Sequence, residues 1–358
     1  MLYIFLSLFI LLSSIATFNK IKVFNIFIFT SLVIVCVYFP AIRDTRVGTD
    51  SLMYANYVDW NLSLFDYSSY FEFGNAIIYR IVIDWFSSEY QYVFIFYAIL
   101  TNLFLVLSVF KISKNIYLSM LCILCFQSIY FAQFNIMRQV LAFSIFLYAM
   151  SFMLNKENRK FYFWLIISIF FHSSAVVGIF FPILYRMVKR NFLFPVVLFN
   201  SGVILVAIIF NTLISILSSF GGYFGKYAAY INYNNEKSVG INLFVLNFIF
   251  ILVIFLISNK KFSNSVEYRL YVFLASIMLS IQFSVAFLNM SEQVFGRFSI
   301  YFFSGIFFLL PYACMALNRN IRPIFCMFIT LFLLVYLYIF IYVLGIHGVF
   351  PNLLLSLS

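Results

Sequence analysis

Charge is scarce in this chain: Asp, Glu, Lys and Arg make up 9% of its 358 residues, and histidine occurs only twice. That scarcity excludes a soluble globular domain, because 65% of the residues are apolar where about 45–50% is usual. The five cysteines, Cys36, Cys122, Cys125, Cys314 and Cys326, all lie in apolar runs. Cys122 and Cys125 have CxxC spacing but no second pair and no histidine nearby, so they read as buried thiols and not as a metal or disulfide framework. Missing as well are a Walker A loop, a GxGxxG turn after a strand, an HExxH helix and a DxD pair. Neither ATP nor a nucleotide-sugar donor is therefore expected to drive the chemistry, and no metal or cofactor is called for.

What the chain does have is apolar length. A spanning helix needs roughly 20 apolar residues. Qualifying runs are Leu2–Phe18, Val23–Ala41, Tyr92–Phe110, Ile116–Phe134, Ile136–Leu154, Phe192–Phe210, Ile241–Ile257, Leu270–Leu288, Phe298–Leu317 and Pro323–Gly345. The first lacks a basic leader and a small-residue cleavage site, so it is expected to be a retained helix. Phe161–Tyr185 is either one long helix or a hairpin of two short ones around His172-Ser173-Ser174. Basic residues decide between them, because they favour cytoplasmic loops. With the hairpin, fifteen of the 22 bases fall on one side, accompanied only by Glu157 and Glu267; a single helix divides the bases ten against twelve.

The hairpin reading gives an all-α, polytopic membrane protein of about 12 segments, a single membrane domain over residues 1–358 with both termini outside the cytoplasm. Two outer-face loops are large, 42–91 and 211–240. In the first, Phe71–Arg80 has the pattern of a helix lying in the membrane interface; the second, rich in Gly and Tyr, has no strong periodicity. Hairpin helices of about 12 residues rise only ~18 Å and fall short of a ~30 Å hydrocarbon core. His172 is then expected at a sunken apex, lining a cavity open to the outer face.

The little charge there is gathers on that face. Arg43, Asp44, Arg46 and Asp50 fall within eight residues, Arg138 lies between two apolar runs, and Arg297 begins another with Glu292 five residues before it. Charge near membrane depth costs several kcal/mol and usually faces a cavity with a purpose. Guanidinium groups hold phosphate oxygens bidentately and stay charged, so Arg43, Arg46, Arg138 and Arg297 suit a diphosphate. Asp50, Asp44, Glu292 and His172 are candidate bases; His172 is favoured because imidazole titrates near neutral pH. His347, close to the C-terminus, reads as structural.

These residues stand in ordered motifs. Arg43-Asp44, Val47-Gly48-Thr49-Asp50 and Tyr54 come first, then Glu72-Phe73-Gly74, Asn135 with Arg138-Gln139 and Ala142, Phe171-His172-Ser173-Ser174-Ala175, and late in the chain Arg297 and Tyr301. The set resembles the EpsG-like family of bacterial polysaccharide polymerases, relatives in role of the O-antigen polymerase Wzy. The resemblance implies a glycosyltransferase at the outer, periplasmic face of the inner membrane, polymerising undecaprenyl-diphosphate-linked oligosaccharide repeat units into O-antigen, capsule or exopolysaccharide. On that view Arg138, with Arg43 or Arg297, stabilises the departing diphosphate, and Asp50 or His172 takes the proton of the attacking hydroxyl. Arg46, Tyr54, Glu72, Gln139, Glu292 and Tyr301 are expected to bind substrate, Tyr54 by stacking. A chain-length regulator and a flippase are the implied partners. A flippase for the lipid-linked unit, or a glycan ligase or acyltransferase, are the alternatives the same residues allow.

Overall fold

The computed structural model describes residues 22–126, 129–218, 237–288 and 292–349. Among these residues the secondary structure is helical throughout. In chain order the first helices are α1 (Lys22–Ala41), α2 (Ser51–Asp59), α3 (Leu64–Tyr70), α4 (Phe73–Trp85), α5 (Tyr90–Ile112) and α6 (Ile116–Cys125). A 3-10 turn (Phe131–Phe134) leads to α7 (Met137–Leu154) and α8 (Asn158–Phe171), and a 3-10 run follows (Ser173–Phe180). Next come α9 (Phe181–Arg190), α10 (Leu193–Ser218), α11 (Lys237–Phe262), α12 (Val266–Phe287), α13 (Glu292–Ser299) and α14 (Ser304–Ala316). Helix α15 (Arg322–Leu337) closes the described part and continues as a π-helical stretch (Tyr338–Val343).

Local chemistry sets many of these ends. Ser63, Asn115 and Ser265 accept hydrogen bonds from the backbone N–H groups of Asp66, Leu118 and Tyr268, capping α3, α6 and α12. Proline occupies the first turn of α9 and of α15, where its missing N–H costs nothing. Lys111, Lys189 with Arg190, and Lys260 with Lys261 close α5, α9 and α11, where positive charge complements the helix dipole.

The chain divides into two compact units, one running up to Ile179 and resuming at Asn318, the other spanning Phe180–Leu317. In the first, α7 is the buried axis, packed against α5 and α8, with α1 against α5. In the second, α12 is central and meets α10, α11 and α14. Polar bridges join those helices: Asn200 Nδ2 donates to Ser276 Oγ at 3.1 Å, and Asn247 Nδ2 donates to Gln282 Oε1 at 3.1 Å. Such bridges add interhelical hydrogen bonding where lipid removes the hydrophobic drive between helices.

Seven helices among the described residues are long and apolar enough to cross a membrane, and Asn25–Ala41 and Ile116–Cys125 are shorter apolar helices. With 65% apolar residues, this is a membrane protein. Leu2–Phe18 lies outside the described residues, as does most of the loop expected at 211–240. The edges of that loop are helical, however, since α10 runs on to Ser218 and α11 begins at Lys237.

Ile116–Phe134 departs from the expected single span. Helix α6 stops at Cys125, and the chain resumes as a 3-10 turn at Phe131. The reason is tertiary: the Gln133 carbonyl accepts from Arg43 Nη1 at 2.6 Å and the Phe134 carbonyl from Ser51 Oγ at 3.1 Å, so both are turned toward the 43–51 segment. Between Phe161 and Tyr185 the α-helix is likewise interrupted, with His172 extended (φ −160°, ψ 125°) after α8. The loop expected at 42–91 holds the three short helices α2, α3 and α4.

Candidate active site

The turn at residues 43–50 is built to dock on the break before α7. Gly48 has φ +92°, and a Cβ there would lie 2.1 Å from the Phe134 carbonyl oxygen, so only glycine allows both the turn and the approach. The next amide, Thr49 N–H, donates to Asn135 Oδ1 at 2.7 Å, and Ser51 Oγ donates to the Val47 carbonyl at 2.6 Å. The Gly48 and Asn135 motifs are thereby one structure, although 86 residues separate Thr49 from Asn135. Asp50 sits half-buried at the N-cap of α2 and accepts from Thr49 Oγ1 at 3.1 Å.

Glu72 is the hub of the site. It precedes α4, whose Gly74 lies so close to α8 that a Cβ would meet the Phe170 carbonyl oxygen at 2.8 Å, which brings Glu72 beside the end of α8. Its Oε2 accepts from Arg138 Nη1 at 3.1 Å and from Asn75 Nδ2 at 3.2 Å, and its Oε1 accepts from the Ser173 N–H at 3.2 Å. Asn75 also donates to the Phe171 carbonyl at 2.7 Å and accepts from the Tyr97 hydroxyl at 2.6 Å. The Arg138 and Glu72 side chains are 21% and 23% exposed, so the pair is reachable from outside but largely desolvated. The Arg138 guanidinium carbon lies 5.8 Å from the Tyr54 ring centre and 5.6 Å from that of Phe71, a cation–π cradle. Arg138 Nε is buried without an acceptor among the described residues.

His172 joins the hub through its neighbours. Its Nδ1 accepts from the Ser174 N–H at 3.2 Å and lies 2.7 Å from Ser174 Oγ, which accepts weakly from Gln139 Nε2 at 3.5 Å. A backbone N–H can only donate, so Nδ1 is an acceptor and the neutral ring carries its hydrogen on Nε2.

The structure thus brings Tyr54, Glu72, Arg138, Gln139 and His172 together from stretches far apart in sequence. Asp50 stands one helical turn before Tyr54, whose N–H donates to the Asp50 carbonyl at 3.1 Å, whereas the remaining sequence-derived residues sit elsewhere. Arg43 is 2% exposed, packed over the Phe94 ring at 4.2 Å; burial lowers its pKa to about 10, so it remains a cation at neutral pH. Arg46 is exposed and bonded to Asp44 at 2.9 Å; these hydrogen bonds hold the Asp44 carboxyl below its usual range. Arg297, exposed, and Tyr301, fully buried, belong to the second unit, where α13 starts at Glu292. Among the described residues no three His, Cys, Asp or Glu side chains converge as a metal site would require.

Asn75 and Tyr97 take part without having been singled out, and Ser174 had been noted only as part of its motif. Their signal lay in polar side chains set within or beside apolar helices, which cost energy unless hydrogen-bonded.

Comparison with known proteins adds one result. The family model described as the EpsG family matches residues 26–352. No curated protein and no solved structure matches.

Proposed function

The chain belongs to the EpsG family, a Wzy-like polysaccharide polymerase family, and from that premise we propose that it is a glycosyltransferase polymerising undecaprenyl-diphosphate-linked repeat units at the outer face of the inner membrane. One observation carries this reading to particular residues: four separate motifs meet in the half-buried Glu72–Arg138 cluster. The topology that goes with it has about 12 segments, with Phe161–Tyr185 as a hairpin around His172 and the cluster opening outward. A chain-length regulator and a flippase are the proposed partners.

In the proposed reaction, a hydroxyl of the incoming lipid-linked unit attacks the anomeric carbon of the growing glycan. The bond from that carbon to the diphosphate oxygen breaks, and the diphosphate leaves with the electron pair. In this scheme Arg138 stabilises the developing charge on the leaving group, aided by the His172 Nε2–H. His172 is a donor in this scheme because its Nδ1 lone pair faces Ser174. Three hydrogen bonds engage the Glu72 carboxylate, which therefore orients Arg138 and the Ser173 backbone. The proton of the attacking hydroxyl passes to Asp50, whose carboxylate accepts, among the described residues, from the Thr49 hydroxyl alone. Tyr54 supplies an aromatic face beside Arg138.

The test is to incubate purified protein in liposomes with the lipid-linked repeat of its own pathway, without nucleotide, and to separate the products on a gel. A ladder of lengthening glycans is expected. Movement of the lipid-linked unit between leaflets without a ladder would replace this reading with a flippase.

A further inference from the structure

A row of aromatic rings leads out of the Glu72–Arg138 cluster to the surface of the first unit. The Phe71 ring, which flanks the Arg138 guanidinium, lies 5.3 Å from the Tyr57 ring; Tyr57 lies 4.7 Å from Trp60, and Trp60 lies 5.1 Å from Tyr70. Exposure rises along this path: Phe71 is buried, Tyr57 is half-buried, and Trp60 and Tyr70 are 45% and 60% exposed. The two outer rings are held in place from the chain beneath them. The Tyr67 hydroxyl donates to the Tyr57 carbonyl at 2.7 Å, and Arg80 Nη1 donates to Asn61 Oδ1 at 3.1 Å and to the Leu62 carbonyl at 3.0 Å, which fixes the turn after Trp60. A platform already ordered loses little freedom when it binds.

Exposed Trp and Tyr on the outer-face segment of the proposed topology suit two surroundings, the interfacial layer of the bilayer and a carbohydrate. Their polar neighbours favour the second. Asp59 and Asn61 flank Trp60, Ser68 and Ser69 precede Tyr70, and all four are exposed. Sinking the Trp60 ring among lipid would draw the Asp59 carboxylate out of water, at a cost that the ring does not recover. A sugar uses both kinds of group: its C–H face packs on the rings, and its hydroxyls hydrogen-bond the carboxylate and the amide. Because Asn61 Oδ1 accepts from Arg80, its Nδ2 is the group left to donate outward.

We propose that Trp60 and Tyr70 form a binding site for sugars of the growing glycan beyond the one whose bond breaks, with Asp59 and Asn61 holding their hydroxyls. Which glycan is bound rests on the polymerase reading: with the departing diphosphate at Arg138, the sugars attached to it belong to the growing chain, and the row of rings starts beside that guanidinium. Held there, the chain stays on the protein between additions.

The probe is an oligosaccharide of two repeats, released by mild acid from the lipid-linked glycan of the protein's own pathway and labelled fluorescently at its reducing end. Its binding to the purified full chain in detergent is followed by anisotropy. Saturable binding is expected, weakened about tenfold or more in Trp60→Ala and recovered in Trp60→Phe. If Trp60→Ala does not fold, Tyr70→Ala, which removes the more exposed ring, carries the same expectation. Trp85→Ala is the control and should bind as wild type does: Trp85 is 82% exposed but ends α4, ~18 Å along the helix from Glu72. In the polymerisation assay, Trp60→Ala should make shorter glycans than wild type. Absence of saturable binding, or equal binding by wild type and Trp60→Ala, would overturn the site and leave its rings to the membrane interface, even where wild type forms a ladder. Ring-dependent binding without a ladder would support the site and remove the polymerase reading instead.

Discussion

Glu72 and Arg138, 66 residues apart in sequence, meet at 3.1 Å, and the same carboxylate holds the Ser173 N–H next to His172. One acidic group thereby fixes both the cation and the imidazole loop of the proposed site. Glu72→Gln is expected to slow polymerisation roughly ten- to hundredfold, the effect of losing about 1.5–3 kcal/mol of charge-assisted hydrogen bonding. Because Glu72 acts in part through Arg138, Glu72→Gln should slow the Arg138→Ala background by a smaller factor than it slows wild type. Initial rates of the four proteins form the cycle, and independent, multiplying losses would count against a positioning role.

His172 as a donor differs in consequence from His172 as a base. A glutamine at this position can place an N–H near where Nε2 lies but cannot accept a proton at neutral pH. His172→Gln should therefore keep at least tenfold more activity than His172→Ala, with the pH–rate profile of wild type. Equal inactivity of the two variants would return the imidazole to the role of base.

Asp50→Asn removes the proposed proton acceptor while keeping the shape of the α2 N-cap. Loss of about two to four orders of magnitude in rate is expected at unchanged thermal midpoint. Activity within tenfold of wild type would exclude Asp50 as the base.

Gly48→Ala tests the docking of the turn. With φ +92° and a Cβ position 2.1 Å from backbone oxygen, the variant should unfold several degrees lower and lose activity along with stability. Gly202, within α10, has nothing within 4 Å of its Cβ position, so Gly202→Ala should be neutral or slightly stabilising. Matching thermal melts of the two variants would contradict this account.

Much of this was legible in the sequence, because a bilayer forces long apolar helices and makes every buried charge conspicuous. Arg138 and His172 stand out for that reason and Tyr54 through its motif, and the structure brings the three together. That α6 ends at Cys125 was not legible: Ile116–Phe134 reads as one apolar run, while Arg43, Gly48 and Ser51, distant in sequence, engage the Gln133 and Phe134 backbone. Nor did the sequence separate Arg43 from Arg46 and Arg138. All three look alike as arginines near an interface, yet one is sealed, one exposed and one half-buried in the cluster. The centrality of Glu72 likewise depends on the close approach at Gly74, which is a matter of packing and not of periodicity.

The most direct test of the account is the rate of glycan ladder formation by purified Arg138→Ala, reconstituted at the same protein level as wild type with the same lipid-linked repeat. A loss of about two to three orders of magnitude is expected, the usual cost of removing a charge-stabilising donor, with partial recovery in Arg138→Lys. Ladders growing at the wild-type rate in Arg138→Ala would remove the Glu72–Arg138 cluster from the chemistry.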